Sequence, residues 1–547
     1  MKELNVPRTE SAYNYQLLIK NILFSPIVDN PEQEIVYRGT FRYTYREMKA
    51  RVAKLANVLV SMGVKPGDTV AIMDWDSHRY LESFFAVPMI GAVLHTINVR
   101  LSPEQILYTI DHAEDDVLLV NSEFLPIMEQ IRGRIDTVKK YVLISDDPHP
   151  HPTSITFDGE YEELLAAASD KFEFQDFDEN IRATTFYTTG TTGMPKGVYF
   201  SQRQLVLHTL ASLTAIATIT GHGSFHREDV YMPITPMFHV HAWGIPYIAT
   251  MLGVKQVYPG KYLPDTLLEL VEKEKVTFSH CVPTILHMLL KHPHAQRIDL
   301  SGWKLIIGGA AMSRTLCLDA MARGIDVFTG YGMSETCPLL TIAQLTPEML
   351  RLSPEEQAAI RCKTGLTVPF VDLKVVDSDF VEQPRDGKSV GEVVVRAPWL
   401  TQGYLKDSKA SERLWEGGYL HTGDVATRDE LGYVKITDRT KDVIKVSGEW
   451  LSSLELEDII AHHPTVAEVA VIGVPDEKWG ERPLALIVAK SDSKSSAKDI
   501  IHYVMSYSDK GQVSKQVVLL KVRFVESIDK TSVGKISKVT LREKYSK

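Results

Sequence analysis

The stretch Tyr187–Gly197, YTTGTTGMPKG, decides how the remainder of the chain is read. Four threonines, three glycines and one lysine fall within these eleven residues. Gly190, Gly193 and Gly197 let the backbone take positive φ and turn its N–H groups toward one point, while Thr188, Thr189, Thr191 and Thr192 add hydroxyl donors. That combination predicts a cradle for phosphate oxygens. Lys196 adds a point charge, and Pro195 stiffens the backbone beside it. A nucleotide P-loop needs a glycine before its lysine and a Ser or Thr after it, and it opens a helix. Here Pro195 and Gly197 stand in those places, and Val198, Tyr199 and Phe200 read as a short strand. A helix should then begin at a capping box made by Ser201 and Gln204. A flexible surface linker would favour Gly and Ser over four threonines and a Pro-Lys pair between two β-rich runs.

Working outward, 547 residues suggest more than one domain, and 44% apolar with 24% charged residues is ordinary globular composition. A net charge of -10 and a pI near 6.0 give no general attraction to nucleic acid or anionic membrane. The N-terminal MKELNVPRTES lacks the apolar core of a signal peptide, and apolar stretches such as Phe84–Leu94 are too short to span a bilayer. A cytoplasmic enzyme is expected. Cys281, Cys317, Cys337 and Cys362 lack metal-ligand spacing and suit a reducing compartment.

The organisation is α/β. A capping box at Thr44 and Glu47 opens a helix with Met48, Val52, Leu55 and Leu59 on one face, which Gly63 ends. The strand TVAIMD follows, and the rhythm recurs through Val117–Val120, Tyr141–Ile144, the helix around Leu267–Glu274, the strand-like TFSHCV, and Trp303–Ile307. Residues 146–153, with alternating prolines around His149 and His151, read as a solvated loop rather than a metal site. Past Thr364 the texture changes to strands with turns (DLKVVD, GEVVVRA, GYVKI), a β-rich subdomain over about 365–438, and a charge-dense run near 438–445 precedes a last mixed segment.

Three further motifs carry chemistry. Tyr331-Gly-Met-Ser-Glu-Thr336 lies just past a predicted strand Ile325–Phe328, at the strand's carboxyl end, where α/β sheets place ligands. Beside phosphates, Glu335 is the leading Mg²⁺ ligand; alone, it would read as a glutamate complementing a helix dipole. In Tyr419-Leu-His-Thr-Gly-Asp424, Asp424 can accept ribose hydroxyls and Arg439 can meet a phosphate or ribose oxygen, although Gly-Asp is also common turn chemistry. In Thr531-Ser-Val-Gly-Lys535, a glycine-flanked lysine suits stabilisation of developing negative charge, although a lysine in a Lys-rich tail, read alone, is simply solvated.

These four motifs, in this order, resemble the acyl-adenylate-forming superfamily, and the chain's texture is similar to medium- and long-chain fatty-acyl-CoA synthetases. Supporting stretches are Pro236-Met-Phe-His-Val240 with Ala242-Trp243-Gly244, Leu94-His-Thr-Ile-Asn98, and Lys445-Val-Ser-Gly-Glu-Trp450. The resemblance implies a large multi-sheet N-terminal adenylation domain over 1–438 and a small mobile α+β C-terminal domain over 439–547, with a hinge at about 438–442. It implies an AMP-forming ligase for an apolar, medium- to long-chain fatty acid, using ATP, Mg²⁺ and coenzyme A, with dimerisation through the N-terminal domain; the alternatives are an acyl-AMP ligase loading a carrier protein or other acceptor, and a CoA ligase for a short branched, alicyclic, aromatic or methylthio-substituted acid. Residue by residue, Thr188 would help Glu335 hold Mg²⁺, and Thr189, Gly190, Thr191, Thr192 and Lys196 would hold the pyrophosphate. Gly309, Thr329, Gly330, Tyr331 and Ser334 would line the adenylate site, and Asp424 would hold the ribose. Arg439, Lys441, Lys445 and Trp450 would meet the nucleotide or shape the closed interface, and Lys535 would promote adenylation. His239 and Val240 would flank the acyl carboxylate and Trp243 would gate the acyl tunnel; for His239 and Trp243 core packing is the competing reading. The chain departs from the family pattern at Asp529-Lys530, where a proline-basic pair is usual, and at Val446.

Overall fold

The computed structural model describes residues 6–7, 9–147, 152–188, 194–446, 449–490, 496–509, 513–530 and 536–546, with backbone alone at 449 and 450. The candidates Thr189, Gly190, Thr191, Thr192 and Lys535, the side chain of Trp450, and His149 and His151 lie outside the described residues. Among those described, the strands form four sheets of seven, nine, four and five strands.

The seven-stranded sheet has parallel Thr69–Met73, Val93–Thr96 and Arg182–Tyr187 at its middle and antiparallel Gly197–Ser201 at one edge. Val70, Ala71, Ile72 and Met73 are all fully buried, as a parallel strand covered on both faces requires. The helix Tyr45–Ser61 starts at the Thr44–Glu47 capping box and buries Met48, Val52, Leu55 and Leu59. The Ser201–Gln204 box likewise opens Gln202–Ala217.

In the nine-stranded sheet, Val230–Pro233, Phe278–Cys281, Lys304–Ile307 and Asp326–Gly332 run parallel, and Leu339–Ile342 turns back against the last of them. Two expectations change here. Tyr331 and Gly332 belong to the strand rather than to the loop beyond it, and Ser334–Thr336 is a single 3₁₀ turn, so Glu335 has no helix dipole to complement. Antiparallel pairing of Gly330 with Ile342 and of Tyr331 with Thr341 extends the strand past the point where its apolar run stops.

The β-rich subdomain is an antiparallel sheet of Asp372–Val376, Gly391–Arg396, Leu420–Arg428 and Val434–Arg439. Asp424 therefore lies on a strand, not in a turn; Gly423, at φ +67°, supplies the local irregularity. The C-terminal part pairs Val466–Asp476 with Gly480–Ala489 and packs the helices Ser453–Ala461 and Ala497–Asp509 around its own core, which includes Ile444, Leu456, Ile487 and Val504. It meets the preceding part at Asp438, whose buried carboxylate accepts the Ser453 N–H at 2.7 Å and the Ser453 hydroxyl at 2.6 Å. No helix among the described residues is long and apolar enough to cross a membrane.

Candidate active site

The threonine loop is the connection of a β-hairpin. Tyr187 pairs with Gly197 across the edge of the seven-stranded sheet, and the Thr188 N–H donates to the Lys196 carbonyl at 2.9 Å, closing the neck of the loop. Lys196 places its ammonium 4.5 Å from the centroid of the Tyr404 ring, a cation–π contact. The Tyr404 hydroxyl donates to Glu335 Oε1 at 2.7 Å. A Leu405 N–H to Gly197 carbonyl bond of 2.8 Å and a bridge between Val198 and Tyr404 hold that tyrosine's segment against the hairpin. Lys196 and Glu335, far apart in the chain, are thus joined through one aromatic ring.

Tyr404 was not among the residues singled out in the sequence. It stands 69 positions from Glu335, and no local period or motif flags it. Burial pushes the Glu335 carboxyl up, and the Tyr404 hydrogen bond and the Arg439 charge pull the other way.

A second network holds the expected ribose site. The Tyr331 hydroxyl donates to Asp424 Oδ2 at 2.8 Å, and Arg439 Nε lies 3.1 Å from Asp424 Oδ1. Asp424 and Arg439 are paired across neighbouring strands, so the backbone register sets the ion pair. Asp424 is the main cause of the Arg439 guanidinium holding its proton more tightly than usual, while burial, then Arg439, pushes Lys441 down. Lys445 is on the strand Ile444–Val446, exposed, with its N–H on Glu481 at 2.7 Å.

Gly308, Gly309, Thr329 and Gly330 lie at the carboxyl ends of the neighbouring strands Lys304–Ile307 and Asp326–Gly332. A Cβ at Gly308 would come within 2.8 Å of the Gly330 carbonyl oxygen and 2.9 Å of Trp243 Cη2, so only glycine permits that approach. Gly309 is exposed with φ +76°, Thr329 is buried with no hydrogen-bond partner for its hydroxyl among the described residues, and Ser334 is half-buried.

His239, itself extended at φ -98°, is followed by a run of left-handed backbone. Val240, His241, Ala242, Trp243 and Gly244 have φ of 49, 53, 48, 60 and 73°. Left-handed conformation costs L-residues roughly 1–2 kcal/mol each, so surrounding contacts must impose it. His241 is fully buried among Phe84, Phe186, Phe200 and Tyr247. Trp243 is half-buried, tilted over His280 with ring centroids 5.0 Å apart. His239 itself is half-buried and Val240 buried. Ile245 and Leu339 share one core with Trp243, whereas Cys281 and Leu286 belong to another. Cys281 and its neighbour His280 project to opposite faces of their strand.

The sequence profile of the AMP-binding enzyme family matches residues 27–405, and that of the AMP-binding enzyme C-terminal domain matches residues 455–535. The chain belongs to the AMP-binding enzyme family. A long-chain-fatty-acid–CoA ligase of Thermus thermophilus is 41% identical to this AMP-binding enzyme over 507 residues, covering 92% of this chain and 90% of the relative. A 3-methylmercaptopropionyl-CoA ligase of Ruegeria lacuscaerulensis is 37% identical over 547 residues, covering 97% and 98%. The ATP-bound crystal structure of MatB from Rhodopseudomonas palustris matches with a TM-score of 0.83 at 25% identity, covering 97% of this chain and 99% of that one. The two matched ranges leave 406–454 between them, and in this AMP-binding enzyme that interval carries Asp424, Arg439, Lys441 and Lys445.

Proposed function

We propose that this AMP-binding enzyme is an ATP-dependent acyl-CoA ligase that activates an apolar, medium- to long-chain carboxylic acid as its acyl-adenylate and transfers the acyl group to coenzyme A. The observation that carries the reading is the placement of Glu335 and Asp424 around the carboxyl end of Asp326–Gly332, one joined to the phosphate-loop lysine through Tyr404 and the other to Arg439. Relatives named as CoA ligases at 41% and 37% identity support the reading. The second relative also favours a short methylthio-substituted acid as an alternative substrate.

In the first half-reaction a carboxylate oxygen attacks the α-phosphorus of ATP, an acyl C–O–P linkage forms, and the bond to pyrophosphate breaks. Backbone N–H groups and hydroxyls of the threonine loop orient the polyphosphate, and Lys196 and Lys535 offset its charge. Asp424 accepts from the ribose. His239 and Val240 flank the carboxylate. In the second half-reaction the coenzyme A thiolate attacks the acyl carbon and AMP leaves, so no covalent link to the protein is needed.

The donor set fits magnesium. Glu335 is a buried carboxylate oxygen donor, Thr188 offers a hydroxyl at the loop neck, and Mg²⁺ takes one or two protein oxygens and completes its shell with phosphate and water. Among the described residues no three His, Cys, Asp or Glu side chains cluster as a metal site, which matches that division of ligands. Bound there, the ion would neutralise charge on the β- and γ-phosphates.

The test is pyrophosphate release from ATP across carboxylic acids of graded length and shape, with and without coenzyme A. Acid-dependent release that turns over repeatedly only with coenzyme A is expected. Release that stalls near one equivalent in both conditions would move the acceptor to a carrier protein, and acid-independent release would overturn the reading.

A further inference from the structure

The loop Pro236–His239 leaves Val230–Pro233, a strand of the nine-stranded sheet, yet two of its backbone groups are held from the seven-stranded sheet. Asp76, just past Thr69–Met73, accepts the Met237 N–H on Oδ1 at 2.9 Å. Thr96, the last residue of Val93–Thr96, donates its hydroxyl to the Phe238 carbonyl at 3.1 Å. Asp76 is itself fixed: Oδ2 accepts the Tyr262 hydroxyl, its carbonyl accepts the Gly260 N–H at 2.9 Å, and only 2% of it is exposed.

The strand ending at Thr96 runs beside Arg182–Tyr187, with Thr96 opposite Phe186, and the latter strand leads into Thr188. The backbone that presents His239 is therefore indexed, through Asp76 and Thr96, to the sheet that presents the phosphate loop. The five left-handed residues follow at once, so any slack at Met237 and Phe238 would be passed directly to Val240.

We propose that Asp76 is a positioning residue: through Met237 it sets the His239–Val240 loop against the phosphate loop and so aligns the acid with the α-phosphate. The inference rests on the ligase reading above. In-line attack is sensitive to misplacement of the order of 1 Å, and errors of that size cost rate rather than nucleotide affinity. Burial pushes the Asp76 carboxyl up to about 7. Ionised or protonated, it keeps an oxygen able to accept from Met237, and so does the amide of an asparagine.

The experiment compares acid-dependent ATP–pyrophosphate exchange with thioester formation from supplied acyl-AMP in the full chain and in Asp76→Ala, Asp76→Asn and Thr96→Val. Asp76→Ala is expected to lower kcat for exchange at least tenfold with KM for ATP within about twofold, and to slow the thioester step far less. Asp76→Asn should restore exchange to within about threefold of the unsubstituted chain, which a purely structural charge would not do. Thr96→Val removes the other tie and should show the same split even if Asp76→Ala fails to fold. Equal losses in both half-reactions, or Asp76→Asn as impaired as Asp76→Ala at unchanged melting temperature, would overturn the proposal while leaving the ligase reading intact. Absence of exchange with every acid in the unsubstituted chain would overturn both.

Discussion

Asp424 and Arg439 face each other across two antiparallel strands, 3.1 Å apart at Oδ1 and Nε, with Tyr331 on the other carboxylate oxygen. An ionised carboxylate offers about four acceptor sites, so two ribose hydroxyls can join these partners without expelling both. Asp424→Asn puts an amide N–H where one acceptor stood, facing either the guanidinium or the sugar. Hydrogen bonds to charged groups contribute about 1.5–3 kcal/mol, so KM for ATP should rise roughly ten- to a hundredfold. ATP and its 2′,3′-dideoxy analogue should then differ less than in the unsubstituted enzyme; an unchanged discrimination would take Asp424 out of the ribose site.

Glu335 should give the enzyme an acid limb above the ordinary carboxylate range. Its folded-state pKa is raised by burial, and the metal-binding form is the ionised one, so activity falls as pH drops through that raised value. Tyr404 donates to the carboxylate and lowers the value. Tyr404→Phe should therefore shift the acid limb of the exchange reaction to higher pH and raise the magnesium concentration needed for half-maximal rate. A limb that stays in place would show that Tyr404 only packs beside Lys196.

Lys535→Ala should slow acyl-AMP formation by roughly a hundredfold or more, the scale of losing one preorganised charge donor, and slow thioester formation from supplied acyl-AMP far less. Both half-reactions measured on one preparation decide it. Equal losses would remove Lys535 from the adenylation step.

At Gly332 a Cβ would sit 1.7 Å from the Pro338 carbonyl oxygen, a clash with backbone rather than with a movable side chain. Gly332→Ala must displace the strand that carries Tyr331. A loss above about 3 kcal/mol is expected, read as a fall in the urea midpoint, together with weakened ATP binding. A variant of unchanged stability would mean the strand relaxes at no cost.

What the sequence made legible was whatever its chemistry writes locally. The Thr44 and Ser201 capping boxes open helices where their residue types place them, and the threonine loop does join two strands. What it hid was set by pairing between distant segments. The predicted strand stops at Phe328, where the apolar run ends, yet Thr341 pairs with Tyr331 and keeps it extended. Gly-Asp at 423–424 also reads as common turn chemistry, yet Asp424 is paired with Arg439 across the neighbouring strand. Tyr404 and Asp76 act at the site through one hydroxyl and one carboxylate oxygen, contacts that leave no period or spacing to read.

The bonds between Ser453 and Asp438 bear on time as well as on shape. In the proposed rotation about 438–442, Ser453 travels and Asp438 stays, so both bonds to a carboxylate only 2% exposed must open together. Such a catch acts as a detent. The C-terminal part would dwell in this orientation and leave it in one step instead of drifting, and distance recordings on single molecules would show plateaus whose lengths shorten in Ser453→Ala.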